Sequence, residues 1–158
     1  MHATYDYPEA VLERPAVSAV RDVMTRNPRT VSPGTSVDEA HTLMQHYHIR
    51  HLPVVERGRL VGIVSDRDIR LVLPSPATSL AVHELRYLLA HLTVREIMQH
   101  PVLTIKLESP LTAAVRLMLQ HHIDALPVVA HGRLLGILTR SDILQEFVTL
   151  QTGLPVAA

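Results

Sequence analysis

Two short segments hold residue types whose spacing suits ligand chemistry: GIVSDRD from Gly62 and GILTRSD from Gly136, both of the form G-x-x-[S/T]-x-x-D. A glycine without a Cβ lets a backbone or a ligand come close. The hydroxyls of Ser65 and Thr139 fall where a β-rich run gives way to a helix, and a helix N-terminus offers free N–H groups to a phosphate. Asp68 and Asp142 follow three residues later. A carboxylate is acceptor-only and can take hydrogen bonds from both hydroxyls of a ribose. One turn could therefore hold a sugar and a phosphate together. The same spacing is also a helix capping box, in which hydroxyl and carboxylate satisfy the helix's own donors, and the motif alone does not choose between the two.

The two copies differ just upstream. Arg50 and His51 precede the first LPVV run, whereas Asp124 and Ala125 precede the second. Arginine matches phosphate geometry bidentately, so the Arg50/His51 copy is expected to make the stronger phosphate contacts. Arg67 and Arg70 add charge near the first turn and Arg140 near the second, with Asp66 opposing. The alternative is that these are solvated surface charges.

Eleven histidines raise the question of a metal. His46, His48 and His51 run across a helix end into a strand, and His121 adjoins His122, but no clustered carboxylate completes a tetrahedral set. Their remaining chemistry is titration near neutral pH. No G-x-S-x-G, P-loop or H-E-x-x-H segment is present, and there is no cysteine, so an enzyme is not expected.

The elements that position these residues repeat. Val20–Arg70 aligns without a gap with Val94–Leu144, 74 residues on, and 20 of the 51 positions are identical. Such a repeat predicts two similar units that bury their apolar faces against each other. Each reads as strand, helix, strand, strand, helix. Thr30 and Val31 end an extended stretch, and Pro33 and Gly34 make a turn. Ser36 caps a helix with Glu39 at capping-box spacing and an apolar stripe of Val37, Ala40, Leu43, Met44 and Tyr47. In the second copy Ser109 is the expected cap, with Pro110 at the first helical position and a stripe of Leu111, Ala114, Leu117 and Met118. Leu52–Val55 and Leu60–Val64 form a hairpin turning at Gly58, matched by Leu126–Val129 and Leu134–Leu138 turning at Gly132. These runs are nearly continuously apolar, which predicts a sheet with little exposed face. A short helix follows Ser65 and Thr139. Between the copies, Pro74 and Pro76 interrupt the chain, and Ser79 caps a further helix whose Leu85, Leu88, Leu89 and Leu92 form one face for packing or for a dimer.

The expected organisation is an N-terminal extension (1–19), the first repeat (20–70), a linker with an inserted helix (71–93), the second repeat (94–144) and a C-terminal tail (145–158). The fold class is α/β (α+β), two pseudo-symmetric β-α-β-β-α repeats packed as one module. A chain of 158 residues, 47% apolar, can bury such a core. Fifteen basic residues balance fifteen acidic ones, which argues against a nucleic-acid or anionic-membrane partner. No signal-like segment and no apolar run of about 18 residues occurs, so a cytoplasmic location is expected.

These residues carry a family resemblance. VMTRNPRTV and IMQHPVLTI at the starts, the two LPVV runs, and GIVSDRD and GILTRSD, in the same order twice, resemble the CBS domain, named after cystathionine β-synthase. The linker LPSPATSLAVHELRYLLAHLTV is similar to that of bacterial CBS-pair proteins of the acetoin-utilisation type. The resemblance implies a cleft between the repeats that binds an adenosine-containing ligand. AMP, ADP or ATP is expected ahead of S-adenosylmethionine or NAD, as a regulatory ligand rather than a required cofactor. It implies contacts from Thr30, Val31, Arg50, His51, Pro53, Gly62, Ser65, Arg67 and Asp68, and from Thr104, Ile105, Ala125, Pro127, Gly136, Thr139, Arg140 and Asp142. The adenine would rest against Thr30 and Val31 or Thr104 and Ile105. With one Phe, four Tyr and no Trp, stacking is not the main expectation, and Tyr47 and Tyr87 are assigned to core or interface. The resemblance also implies a homodimer through the repeat helices. Because no catalytic domain is fused to the repeats, the expected action is in trans on a protein partner. The alternative is a ligand-free interaction scaffold; nucleic-acid binding ranks third.

Overall fold

Glycine and its neighbour set the two hairpins. Arg57 and Gly58 both have positive φ (50° and 76°), as do His131 and Gly132 (51° and 77°). Two successive left-handed residues make the tight turn whose twist matches that of the flanking strands. The computed structural model describes residues 18–72, 84, 87 and 90–153. The expectations for Pro74, Pro76, Ser79, Leu85, Leu88 and Leu89 lie outside the described residues. Glu84, Tyr87, Ala90 and His91 are helical.

The elements in chain order are α1 (Val20–Val23), β1 (Thr25–Arg26), α2 (Val37–His46), β2 (His51–Glu56), β3 (Arg59–Ser65) and α3 (Asp66–Val72), followed by α4 (Val94–Ile97), α5 (Leu111–His121), β4 (Ala125–Ala130), β5 (Arg133–Thr139) and α6 (Arg140–Thr152). Strands β2 and β3 pair antiparallel from His51↔Ser65 to Glu56↔Arg59, and β4 and β5 pair in the matching register from Ala125↔Thr139 to Ala130↔Arg133. Each hairpin has a β-bulge, after Val54 and after Val128. The central residues Leu52, Pro53, Val54 and Leu126, Pro127, Val128 are buried, as the continuous apolar runs predict.

The opening of each repeat departs from the expected strand. A single helical turn, α1 or α4, comes first. Val31 and Ile105 then make only isolated parallel bridges, to Val54 and Val128. The true two-residue strand, β1, belongs to the other half's sheet: Thr25 pairs with Ile137 and Arg26 with Gly136. Gln99 answers by bridging Ile63.

This exchange extends to the cores. One core gathers Val31, Val37, Ala40, Met44, Leu52, Val54, Val64 and Ile69 of the first repeat around Val94 of the second. The other gathers Ile105, Ala114, Met118, Leu126, Val128 and Leu138 around Val20 and Met24 of the first. Three main-chain bonds fix each crossing: Val20 N donates to Ser109 O (2.9 Å), Arg21 N to Leu107 O (3.1 Å) and Leu111 N to Ser18 O (2.9 Å), while Val94 N donates to Thr35 O (2.8 Å), Arg95 N to Pro33 O (2.9 Å) and Val37 N to Leu92 O (2.8 Å).

Gly62 and Gly136 serve this crossing. A Cβ at Gly62 would collide with the Met98 side chain, and one at Gly136 would lie 2.5 Å from Met24 Sδ and 2.8 Å from the Thr25 carbonyl oxygen. The close approach expected at both glycines is therefore made by the other repeat's opening segment.

Three local details differ from the sequence reading. Ser36 Oγ accepts from Glu39 N (3.1 Å), but in the second copy Pro110 occupies the cap position of α5 and no side chain caps it; Ser109 uses its own N–H on Lys106 O. A proline there needs no donor, so the chain enters the helix without a hydroxyl cap. The final helix of the second copy is not short, since α6 runs on to Thr152 and ends on Gly153 in a left-handed conformation. Tyr47 and Tyr87 are exposed (38% and 65%) and so stand outside the core.

Candidate functional site

Two clefts flank the line where the N-terminal ends of β2 and β4 meet. The first, of about 510 Å³, is lined by Thr25, Pro28, Arg29, His48, Ile49, Arg50, His51, Asp124, Ile137, Thr139, Arg140, Ser141 and Asp142. The second, of about 500 Å³, is lined by Arg50, His51, Ile63, Ser65, Asp66, Arg67, Asp68, Leu71, Gln99, His122, Ile123, Asp124 and Ala125. Most positions correspond through the repeat, so the clefts are pseudo-symmetric. Arg50, His51 and Asp124 line both.

The motif hydroxyls and carboxylates lie at the helix starts and cap them. Thr139 N and Oγ1 both donate to Asp142 Oδ2 (2.7 Å each), and Asp142 N returns a bond to Thr139 Oγ1. Ser65 N and Oγ donate to Asp68 Oδ2 (2.8 and 2.5 Å), with Asp68 N on Ser65 Oγ. The capping box is thus formed in both copies, and it leaves each aspartate its second oxygen. Here the clefts diverge. Gln99 Nε2 donates to Asp68 Oδ1 at 2.9 Å, whereas Thr25 stands at the matching position of the first cleft and Asp142 Oδ1 has no partner among the described residues.

Charge diverges as well. The first cleft sets Arg29, Arg50 and Arg140 against Asp124 and Asp142; the second sets Arg50 and Arg67 against Asp66, Asp68 and Asp124. Arg29 is held over the Tyr47 ring, its guanidinium carbon 4.0 Å from the centroid, a cation–π contact that gives this exposed tyrosine a positioning role. One backbone hydrogen bond recurs in both halves with the same direction but with the charges of its two residues exchanged. Arg140 N donates to Asp124 O and Asp66 N donates to Arg50 O, both at 2.9 Å. The first couple also forms a side-chain ion pair, while Asp66 turns to Arg70 (2.6 Å) and leaves Arg50 without a carboxylate partner among the described residues.

His51 sits half-buried on the shared wall. Burial pushes its imidazole below the ordinary value, with Arg50 and Arg140 acting in the same direction and Asp124 and Asp68 opposing.

Of the residues anticipated from sequence, Arg50, His51, Thr139, Arg140 and Asp142 meet in the first cleft, and Arg50, His51, Ser65, Arg67, Asp68 and Ala125 in the second. Thr30, Val31, Thr104 and Ile105 do not line either cleft. Val31 and Ile105 are in the cores, and Thr30 and Thr104 are exposed beside them. Pro53 and Pro127 are fully buried, and their carbonyls accept from Val31 N (3.1 Å) and Ile105 N (3.0 Å). Thr25, Pro28, Arg29 and Gln99 were not anticipated, because the strand exchange carries them across to the other repeat's motif. Asp124 could have been found by symmetry, since its counterpart Arg50 was singled out. Among the described residues no group of His, Cys, Asp and Glu could hold a metal ion, and no helix is long and apolar enough to cross a membrane.

Comparison with known proteins identifies the family and the fold. The CBS domain family matches the chain twice, over residues 20–75 and 94–149. A CBS domain-containing protein, YhcV, of Bacillus subtilis (strain 168) is 33% identical over 127 residues, covering 80% of this chain and 84% of that one. Among solved structures, an acetoin utilization protein (AcuB) from Vibrio cholerae superimposes with a TM-score of 0.71 at 31% identity, over 86% of this chain and 94% of that one. CBSX2, solved in complex with AMP, gives a TM-score of 0.69 at 34% identity, over 84% and 98%. The chain belongs to the CBS-domain family and carries the domain as a tandem pair.

Proposed function

We propose that this tandem CBS-domain chain is a non-catalytic regulatory module that binds an adenine nucleotide (AMP, ADP or ATP) in its first cleft and passes that state in trans to a partner protein. The observation that carries the reading is the open Oδ1 of Asp142 in one cleft with Arg29, Arg50 and Arg140. An acceptor-only carboxylate beside three guanidinium groups is the polar complement of a ribose joined to a phosphate. Ile49 and Ile137 supply apolar wall for a base. The AMP carried by CBSX2, a relative of the same fold, supports this choice. In the second cleft, Gln99 covers the equivalent carboxylate oxygen and the balance of charge is acidic, so it is the weaker phosphate site.

A module without chemistry of its own signals only if the ligand binds one arrangement better than another. The helices that follow the motifs supply a surface for that. Leu71 on α3 and Leu144 and Phe147 on α6 are 76%, 58% and 59% exposed, which supports a homodimer formed through these helices.

Thermal unfolding with graded AMP, ADP, ATP, NAD and S-adenosylmethionine tests the reading. Stabilisation should grow with nucleotide concentration, by about 2.7 kcal/mol at a hundredfold excess over Kd. A second reading is favoured by the closed capping boxes: a ligand-free interaction scaffold. No shift with any of the five would favour that reading instead.

A further inference from the structure

We propose that His51 makes nucleotide binding proton-linked: a phosphate in the first cleft is bound together with a proton taken up by this imidazole. The inference rests on the nucleotide reading above and adds a regulation to it.

Position is the first argument. His51 opens β2 and lines both clefts on the wall they share, beside Arg50. The matching residue of the second repeat is Ala125, which lines only the second cleft, so the His51 ring has no counterpart at a site otherwise built twice, unlike His48 and His122, which correspond. The first cleft also holds Arg29 and Arg140, which place a phosphate near this wall, and the open carboxylate oxygen of Asp142, which suits the ribose hydroxyls.

Charge is the second. In the free protein, burial holds the ring neutral near pH 7, despite Asp124 and Asp68 and with the help of Arg50 and Arg140. The other ionisable groups around it are Arg29, His48 and Asp142 toward the first cleft. Toward the second they are Asp66, Arg67 and His122. A nucleoside monophosphate brings about −1.5 to −2 charges, more than either neighbouring aspartate. An opposite charge at short range favours the protonated ring, so a site that is neutral when empty becomes cationic when filled. Affinity should then rise as pH falls toward the phosphate's own second pKa of about 6, by up to about tenfold per pH unit for one proton.

The experiment is calorimetric titration of the full chain with AMP and with adenosine, near pH 7, in buffers of different ionisation enthalpy. AMP should bind with uptake of a fraction of a proton up to about one, and adenosine, which lacks the phosphate, with none. In His51→Gln the uptake with AMP should vanish while measurable AMP binding remains. Because AMP and adenosine are compared in the unaltered chain, the result survives a variant that fails to fold, and His51→Ala, the residue of the second repeat, is a further control. AMP binding without proton uptake, or with equal uptake in His51→Gln, overturns this inference and leaves the nucleotide reading standing. No binding of AMP, ADP or ATP at millimolar concentration overturns both.

Discussion

Asp124 and Arg140 are joined twice, by the Arg140 N–H on the Asp124 carbonyl at 2.9 Å and by an ion pair of 3.0 Å between their side chains. Both side chains are about half exposed or more, so the pair adds little to stability. Its weight falls on the cleft, where Asp124 competes with an incoming phosphate for Arg140. Asp124→Asn should therefore tighten AMP binding by about two- to fivefold, and Arg140→Ala should weaken it by about fivefold or more. Calorimetry on both variants checks this. Weaker binding in Asp124→Asn would show that the aspartate helps the ligand.

The two motif aspartates should part company. Asp142 keeps an oxygen open, whereas both oxygens of Asp68 are engaged, by Ser65 and by Gln99. Asp142→Asn is expected to lower AMP affinity about tenfold or more, and Asp68→Asn to change it by no more than a factor of about two. Each substitution also disturbs a cap at a cost of about 1 kcal/mol, so affinities should be compared well below the unfolding midpoints.

The glycines give a test of the crossing itself. At Gly136 a methyl group would meet the Thr25 carbonyl at 2.8 Å, a backbone atom held in the β1–β5 pairing, whereas at Gly62 the three nearest atoms all belong to the Met98 side chain, whose far end can turn aside. Gly136→Ala should cost about 1–3 kcal/mol and Gly62→Ala clearly less. Denaturant unfolding of the two variants measures the difference.

Protonation of His51 should also show in the empty protein. Its folded value lies below the unfolded 6.5 because burial penalises the cation. Between the two values the unfolded chain binds more protons, so this contribution is fully present above pH about 6.5 and is lost as pH falls through the folded value. His51→Ala should flatten that part of the stability profile. A profile unchanged by the substitution would mean the ring is not the group that titrates.

How much of this was legible in the sequence depends on the range of the interactions involved. The hairpins at Gly58 and Gly132, the Ser36 cap, and the Ser65–Asp68 and Thr139–Asp142 boxes are local, and residue type and spacing point to them directly. The Pro110 cap and the length of α6 are local too, but there proline geometry and a helix stop that comes only at Gly153 prevail over the simplest pattern. The cleft composition is not local. Thr25 and Arg29 face the motif of the second repeat, and Gln99 that of the first, because α1 and α4 dock into each other's halves. Nothing in the spacing of either copy announces that swap. Comparing the copies did expose Arg50 against Asp124; the matching exchange of Asp66 for Arg140 is seen in the clefts, and the two together make them unequal.

The crossing of Val20 and Met24 into one core and Val94 into the other has a consequence for what counts as the folding unit. A lone repeat would lack part of its own interior and could regain it only from a second copy. The tandem chain is in this sense a dimer made covalent. Its linker replaces a concentration-dependent encounter by an intramolecular one at high effective concentration. That permanence lets the two partners differ: a true homodimer would carry His51 on both sides of its axis, and only the fused form can keep one.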